Sequence, residues 1–165
     1  MIRITDEFVS KVAEFEGLRT LAYKCPGGVW TIGYGHTAGV KPGQRCTRRQ
    51  AEAWLREDLA MAAREVEALG LDLTQGQAEA LVDFVFNLGI GALEGSTLLK
   101  KIRAGADAAE IQSEFRRWVY AGGEVQKGLV RRREWEAAGW AGSPAGAGDQ
   151  LRRDESRLYR GDIKI

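Results

Sequence analysis

Glu16 is the residue whose type and position most clearly suggest chemistry. It ends a segment of helical periodicity and is followed directly by Gly17, a residue that commonly terminates helices. The negative end of a helix dipole disfavours a carboxylate there, so helix stability does not explain the acid. Two interpretations follow: a solvated surface glutamate, or a carboxylic acid that apolar surroundings and the helix terminus keep protonated for proton donation.

Two different elements are predicted to position Glu16. The stretch Thr5–Glu7 combines a capping hydroxyl with two acids where the dipole favours them, which predicts a helix ending at Gly17. From Tyr23 to Thr37 the chain is rich in glycine and β-forming residues, which predicts short strands joined by tight turns. We therefore expect a small antiparallel sheet lobe, at about residues 17–46, directly after the first helix.

The rest of the domain is predicted to be helical. A capping box at Thr47 predicts a long connecting helix to about Leu69, and a second box at Thr74 predicts a helix that is buried from Leu81 to Leu88. Three further helices are predicted from Ser96 to about Gly105, from Asp107 through Phe115 and Trp118, and from about Leu129 to Ala138.

The predicted fold class is therefore α+β and mostly helical, with two lobes. The sheet lobe and the long connecting helix are followed by a helical lobe at about residues 70–141, which also contains the N-terminal helix. Gly142 to Gly148 has the composition of a flexible linker, and a charged tail follows it. The compact domain is thus expected to span residues 1–141, and the linker and tail residues 142–165.

Composition excludes several classes of protein. The 165 residues are 44% apolar and 28% charged, which suits one globular domain. A net charge of +1 is smaller than that of a globally basic nucleic-acid binder. No run approaches the roughly 20 apolar residues of a membrane span, and the N-terminus lacks a secretory pattern, so we expect cytoplasmic synthesis and no integral membrane segment.

Cysteine and histidine are too few for a metal framework. Cys25 and Cys46 allow one disulfide at most, and their spacing matches no common zinc pattern. His36 is the only histidine. A structural metal site is therefore not expected.

The stretch from Glu16 to Thr37 closely resembles the signature of the phage-type lysozymes, the T4-like endolysins of glycoside hydrolase family 24. It continues from Glu-Gly into a hairpin and a Thr-Ile-Gly-x-Gly-His segment. Two later stretches resemble the family's central helix with its following loop, at Gln77 to Leu99, and its late helix, at Gly128 to Glu136. The resemblance covers roughly residues 5–140 and implies that Glu16 is the general acid.

One position departs from the family pattern, which has an Asp nine residues after the glutamate and a Thr six residues further on. Here Cys25 replaces the Asp, while Thr31 is kept. Glycoside hydrolysis commonly uses two carboxylates, so the second catalytic group is open. Cys25 could act as a thiolate that assists water or attacks the sugar, if a nearby cation lowers its pKa. It could instead pair with Cys46, leaving Thr31 and ordered water to position the nucleophile, or be an inert thiol in an inactive site.

Four residues are candidates for substrate binding. Trp30 lies in the predicted hairpin and could face a sugar ring, with Gly28 and Val29 lining the same wall of the cleft. Asn87, in the segment that resembles the central helix, is the fourth candidate.

Other noticeable residues have structural interpretations. His36 is expected to hydrogen-bond across the sheet and hold the hairpin against the helical lobe, rather than act as an acid or base. Three tryptophans at helical spacing are expected in the core: Trp54, Trp118 and Trp135. The run Arg131–Arg133 is either a solvated helix face or, as the resemblance implies, the source of one arginine that reaches Glu16.

The resemblance implies an N-acetylmuramidase that cuts the β-1,4 bond between N-acetylmuramic acid and N-acetylglucosamine in peptidoglycan. Glu16 would protonate the leaving oxygen, and Thr31, with or without Cys25, would hold water on the opposite face and invert the anomeric centre. An inactive wall-binding module of the same fold is the alternative that the missing Asp supports. A helical nucleic-acid binder using the arginine run is disfavoured by the near-zero net charge.

The same resemblance sets the expected partners and setting. Glycan strands of peptidoglycan are the expected partner, no cofactor or nucleic acid is implied, and the chain is expected to be a monomer. Such enzymes reach the cell wall from the host cytoplasm after a holin permeabilises the membrane.

Overall fold

The computed structural model describes residues 1–142, which contain seven helices and four short strands. In chain order these are α1 (Asp6–Glu16), β1 (Arg19–Lys24), β2 (Trp30–Gly33), α2 (Arg48–Ala68), α3 (Gln75–Leu88), α4 (Ile90–Glu94), α5 (Thr97–Arg103), α6 (Ala108–Phe115), β3 (Tyr120–Ala121), β4 (Glu124–Val125) and α7 (Lys127–Trp140). The α+β, mostly helical fold class is confirmed. The predicted linker and tail lie outside the described residues, except for Gly142.

Side-chain caps start the main helices at the predicted residues. The Thr5 hydroxyl accepts a backbone N–H of the first turn of α1 at 3.1 Å. Thr47 and Thr74 form complete capping boxes with Gln50 and Gln77 at the starts of α2 and α3. Each box satisfies two N–H groups that would otherwise lack a partner, which is why these boundaries could be predicted from sequence.

The sheet lobe is built on the antiparallel pair β1 and β2, in which Tyr23 lies opposite Thr31. Residues 44–46 run along the other edge of β1, where the Cys46 N–H donates to the Thr20 carbonyl at 2.9 Å. The first strand begins at Arg19, four residues before the predicted start, because Arg19 pairs with Gly33 of β2 and residues 20–22 pair with residues 44–46. A Cβ on Gly33 would lie 3.0 Å from that of Ala51, so the lobe packs directly on α2.

The core lies around α3, which packs against both α2 and α7. Leu81, Val82 and Phe84 of α3 are fully buried, as predicted for a central helix. Trp118 and Trp135 are half-buried and pack against this core, on Phe84 and Phe8, so their predicted place in the core holds for one side of each indole. Trp54 is half-buried as well, but it stacks on His36 of the sheet lobe and is not part of this core, so its assignment to the core was wrong.

His36 has a structural role, but against a different partner from the one predicted. Its Nδ1 lies 2.8 Å from Oδ2 of Asp58, and its ring stacks on Trp54 with the centroids 5.1 Å apart. Both partners belong to α2. The hairpin is therefore held against the connecting helix rather than against the helical lobe.

Two elements were not predicted, namely α4 and the β3–β4 hairpin. Gly122 and Gly123 both have positive φ and form the turn of that hairpin, so they join two strands as well as preceding the last helix. The flanking helices differ accordingly: α6 ends at Phe115, before the predicted Trp118, and α7 is longer at both ends than predicted. Within residues 1–142, no helix is long and apolar enough to cross a membrane.

Candidate active site

The Glu16 side chain lies where α1, the sheet lobe and α7 meet. Its Oε1 accepts a hydrogen bond from Nη1 of Arg132 at 2.5 Å, and the side chain is 22% exposed. Its Oε2 faces Gly35, where an added Cβ would lie 3.4 Å away. Gly35 has a φ of +90°, so this close approach needs glycine for both space and backbone conformation. No hydrogen bond from residues 1–142 reaches Oε2, and this oxygen is available to a ligand.

The surroundings of Glu16 are therefore charged rather than apolar, contrary to one premise of the sequence interpretation. The guanidinium that contacts Glu16 comes from α7, 116 residues later in the chain. No local sequence pattern around Glu16 predicts this contact. Of the three arginines in the run Arg131–Arg133, the structure identifies Arg132 as the one that reaches Glu16. Arg131 is exposed.

Arg132 is held from behind by Asp83, a buried carboxylate on α3. Its Nε and Nη2 donate to the two oxygens of Asp83 at 2.9 and 2.7 Å. The guanidinium also packs on the rings of Phe15 and Phe86, at 5.4 and 5.7 Å from their centroids. Although burial opposes the charge, the carboxylates of Asp83 and Glu16 raise the pKa of Arg132 above its usual value. Arg132 is thus a fixed cation in a defined orientation.

Sequence reasoning missed the role of Asp83, although a signal was present. It is the one ionisable residue in the buried run of α3, and an isolated carboxylate there would be costly without a partner. A buried acid on a central helix therefore predicts a buried base from another helix. The sequence does not say which.

A second buried contact between an arginine and a carboxyl group lies beside the first. Arg133 Nη2 donates to Oε1 of Glu136 at 2.8 Å, and neither side chain is exposed. Burial, together with the nearby Asp83 carboxylate, raises the pKa of Glu136 well above its usual value. Its Oε2 has no hydrogen-bond partner when the group is ionised, whereas a protonated Oε2 can donate to Asp83. These conditions favour the protonated form of Glu136.

The same Arg133 fixes the orientation of Asn87. Its Nη2 donates to Oδ1 of Asn87 at 2.9 Å, and because a guanidinium only donates, the amide oxygen must face it. The amide NH₂ then points away from Arg133. Asn87 is half-buried, and that NH₂ remains for another acceptor.

Cys25 and Thr31 are brought together across the hairpin. The Thr31 hydroxyl donates to the Val29 carbonyl at 3.1 Å and lies near the Cys25 sulfur, to which it can donate instead. A hydrogen bond from the Val29 backbone lowers the pKa of the Cys25 thiol most, and burial, the second-largest influence, opposes it. The Gly27 backbone and Thr31 lower it further. Hydrogen-bond donors, rather than the predicted cation, favour the thiolate.

The disulfide alternative for Cys25 is not found. Both cysteines are unpaired, and Cys46 Sγ lies 4.0 Å from the Arg19 carbonyl oxygen. Burial raises the pKa of Cys46, so the two thiols have opposite tendencies to ionise.

The hairpin residues predicted to bind substrate form its exposed turn. Gly28 has a φ of +80° and Val29 is half exposed, while Trp30 begins β2. The ammonium of Lys24 lies 5.7 Å from the Trp30 ring centroid. These three residues therefore offer an apolar surface with a cation at its edge, beside Cys25.

The site thus contains one acid held by a fixed cation, and a separate thiol–hydroxyl pair on the neighbouring hairpin. An acid with one free oxygen can donate a proton to a bridging oxygen. A thiolate with an adjacent hydroxyl can orient or deprotonate water. Both functions are those needed to hydrolyse a glycosidic bond.

Comparison with known proteins gives consistent matches. Residues 13–136 match the family described as phage lysozyme. The chain is 39% identical over 142 residues to the endolysin of Acyrthosiphon pisum secondary endosymbiont phage 1, covering 83% of this chain and 97% of that protein. It is 42% identical over 139 residues to the endolysin of Bacillus phage B103, covering 82% of this chain but about half, 52%, of that longer protein.

A solved structure shows the same architecture. The muramidase domain of SpmX from Asticaccaulis excentricus superposes with a TM-score of 0.78 at 36% sequence identity. The match covers 85% of this chain and 98% of that domain. The likeness therefore includes both lobes rather than the helical core alone.

Proposed function

The chain belongs to the phage lysozyme family, and on that premise we propose that it is an endolysin, a muramidase that hydrolyses peptidoglycan with Glu16 as general acid. The bond cut is the β-1,4 link between N-acetylmuramic acid and N-acetylglucosamine, as in the T4-like branch, glycoside hydrolase family 24. The domain responsible spans residues 1–141. The observation that carries this proposal is the Glu16 carboxylate, held at Oε1 by Arg132 and free at Oε2 beside Gly35.

The charge arrangement around Glu16 supports its role as a proton donor. When Glu16 is protonated, Arg132 is still paired with Asp83 through two hydrogen bonds, so no buried charge is left without a partner. When Glu16 has lost its proton to the leaving oxygen, Arg132 stabilises the resulting carboxylate. The same guanidinium therefore keeps a partner when Glu16 is protonated and stabilises the carboxylate when Glu16 is ionised. Both states of the proton transfer are thus accommodated.

Cys25 and Thr31 supply the second half of the reaction in this proposal. Thr31, together with the Cys25 thiolate, holds a water molecule on the opposite face of the sugar, and attack by that water inverts the anomeric centre. The proton from water passes to the thiolate while the proton of Glu16 passes to the leaving oxygen. Gly28, Val29 and Trp30 bind the sugar ring, and the NH₂ of Asn87 binds an acceptor on the glycan.

The test is loss of turbidity of bacterial cell walls. Glu16→Gln should reduce the rate by about 100-fold or more, since general acid catalysis contributes that much. Glu14→Gln is the matched control: it lies on the same helix, is exposed and pairs only with Lys11. A Glu16→Gln protein as active as the parent would refute this mechanism. The anomeric form of the first product distinguishes inversion from retention.

The replacement of the family's Asp by Cys25 favours one second candidate, an inactive wall-binding module of the same fold. This alternative predicts that the parent protein sediments with insoluble peptidoglycan without releasing muropeptides. Release of reducing ends by the parent, abolished in Glu16→Gln, excludes it.

We further propose that the protein acts as a monomer after a holin-type protein permeabilises the host membrane. Endolysins act on the host cell wall, and family membership is what supports this route. Expression alone should leave cells intact, whereas expression with a holin should lyse them. Lysis without any holin would contradict the proposed route.

A further inference from the structure

The charges of this protein are segregated, although its net charge is close to zero. Residues 17–51 contain six basic residues and no Asp or Glu. The rest of the described chain, residues 1–16 and 52–142, contains 13 basic and 19 acidic residues. The sheet lobe and the start of α2 therefore carry about six positive charges, and the rest of the described chain carries a net negative charge of the same size. Overall composition conceals this division.

All six basic side chains are exposed, and none has an acidic partner within the part of the chain that the structure describes. They are Arg19, Lys24, Lys41, Arg45, Arg48 and Arg49. No carboxylate among residues 1–142 lies within 4.0 Å of any of their nitrogens. Elsewhere in residues 1–142, some exposed arginines, such as Arg56 and Arg116, have acidic partners, whereas Arg64 and Arg103 do not. The lobe differs from the rest of the described chain because it contains no acid at all, so that its positive charge is not offset locally.

The fold gathers these cations on one lobe, on both sides of its sheet. Arg19 packs on the Tyr23 ring, whereas Lys24, the next residue of β1 after Tyr23, packs on the Trp30 ring and therefore lies on the opposite side. Arg45 lies opposite Leu21 on the neighbouring edge of the same strand, where Leu21 is exposed. Lys41 lies in the loop leading to that edge. We call the exposed cations of this lobe, including Arg48 and Arg49, the cationic face.

Helix stability does not explain the last two members of the cationic face. Arg48 and Arg49 occupy the first turn of α2, a helix of 21 residues without an acid in that turn. The positive end of the helix dipole disfavours cations there. Their positive charges add to the dipole, so that this end of the lobe attracts anions more strongly than the arginines alone would.

One end of the cationic face meets the candidate active site. Lys24 directly precedes Cys25, and its ammonium lies over Trp30 of the sugar-binding turn. A polymer that crosses the site will therefore extend along the lobe that carries the free cations. Peptidoglycan has peptide stems that carry free carboxylates at regular intervals along the glycan.

We propose that the cationic face binds the peptide-stem carboxylates of peptidoglycan and so holds the polymer while the site cuts the glycan. This proposal deepens the proposed function and rests on it for the identity of the polymer. Glycan recognition at Trp30 and carboxylate recognition at the cationic face are then two separate contributions to binding. The second is electrostatic and is screened by salt.

The experiment measures co-sedimentation of the full chain with purified, protein-free peptidoglycan in a Glu16→Gln background, so that binding is recorded without hydrolysis. The test variant is Arg45→Gln/Arg48→Gln/Arg49→Gln. Its matched control is Arg64→Gln/Lys100→Gln/Arg103→Gln, which removes three exposed, unpaired cations from helices outside the lobe. Both variants change the net charge by the same amount.

At 25 mM NaCl we expect the test variant to bind about tenfold more weakly than the parent, and the control variant to bind nearly as well as the parent. The difference should shrink at 500 mM NaCl, because screening shortens the reach of exposed charges. Peptidoglycan whose carboxylates have been amidated should bind parent and test variant equally. The same three substitutions, made in the protein that keeps Glu16, should leave its hydrolysis of a peptide-free glycan fragment unchanged.

Three results would overturn the proposal. The first is equal loss of binding by the test and control variants, which would indicate a net-charge effect. The second is undiminished dependence on the three arginines with amidated peptidoglycan. The third is salt-dependent retention of duplex DNA that is lost in the test variant while wall binding is kept, which would assign the cationic face to nucleic acid. Because sedimentation needs no catalysis, these outcomes are independent of whether Glu16 is the acid.

Discussion

Asp83 and Arg132 form a doubly hydrogen-bonded pair in which Asp83 is fully buried, with donor–acceptor distances of 2.7 and 2.9 Å. The third arm of the guanidinium holds Glu16. The position of the candidate acid therefore depends on a residue of α3 that does not touch it. Asp83 is a positioning residue, and its removal should affect both the fold and the pH range of activity.

Asp83→Asn should leave the full charge of Arg132 facing Glu16. Because an unshared guanidinium favours the ionised acid, we expect kcat to fall at neutral pH and the alkaline limb of the pH–rate profile to move to lower pH. The free energy of unfolding should fall by about 3 kcal/mol, the usual cost of breaking a buried pair. Urea unfolding and a pH–rate profile measure the two effects.

Glu134→Gln is the control for Asp83→Asn. Glu134 also accepts two hydrogen bonds from one arginine, Arg116, but both side chains are more than 40% exposed. This substitution should cost less than about 1 kcal/mol and leave the pH–rate profile in place. Equal effects of the two substitutions would contradict a positioning role for Asp83.

Glu136 should make the protein less stable as pH rises. Its pKa is raised in the folded state by burial and by Asp83, so the folded protein keeps a proton that the unfolded chain releases above about pH 4.3. As pH rises above that value, the free energy of unfolding falls by up to about 1.4 kcal/mol per pH unit, until the pKa of Glu136 in the folded protein is reached. Glu136→Gln should remove this decline, which unfolding curves between pH 4 and 8 would detect.

Glu114 should have the opposite effect from Glu136 on how stability changes with pH. Its hydrogen bond with Lys101 lowers the pKa of Glu114, so its contribution is present above the unfolded pKa and lost as pH falls through the folded one. Glu114→Gln should therefore flatten the acid side of the stability curve only. A Glu136→Gln curve parallel to that of the parent would show that Glu136 is ionised in the fold.

Cys25→Ser should reduce activity sharply if the thiolate assists water, and hardly at all if Thr31 alone positions it. Cys25→Asp restores the family's carboxylate, which ionises near pH 4 rather than near the 8.5 of an ordinary thiol. The acid limb of the pH–rate profile should then move to lower pH. Cys46→Ser is the control, because this thiol donates to the Arg19 carbonyl and has no part in the proposed chemistry, so its substitution should leave the profile unchanged.

Asp58→Asn should loosen the sheet lobe. The Asp58 carboxylate anchors His36, whose other ring nitrogen is 3.1 Å from the Ala38 carbonyl oxygen. Loss of this partly buried, charge-assisted contact should lower the free energy of unfolding by about 1.5–3 kcal/mol. Asp6→Asn, which removes the exposed partner of Arg56, should cost less than about 1 kcal/mol. Similar losses in the two variants would mean that His36 does not fasten the hairpin.

Local hydrogen bonding explains why so many boundaries could be predicted from sequence. A capping hydroxyl such as Thr47 meets an N–H only three residues away, so neighbouring residue types are enough to place the start of a helix. The end of α1 at Glu16 followed from Gly17 for the same reason. Conversely, the first half of β1 depends on residues 44–46, which pair with residues 20–22 from more than 20 positions away.

The sequence alone was enough to identify Glu16 as the candidate acid, to predict the hairpin beside it and to show a thiol in place of a carboxylate. It also contained the segregation of charge, which the net charge conceals. The folded arrangement was needed to show that Arg132, rather than its neighbours, reaches Glu16, and that Asp83 pairs with Arg132. Charge pairing and burial depend on which residues folding brings together, here 116 and 49 positions apart, and no local pattern carries that information.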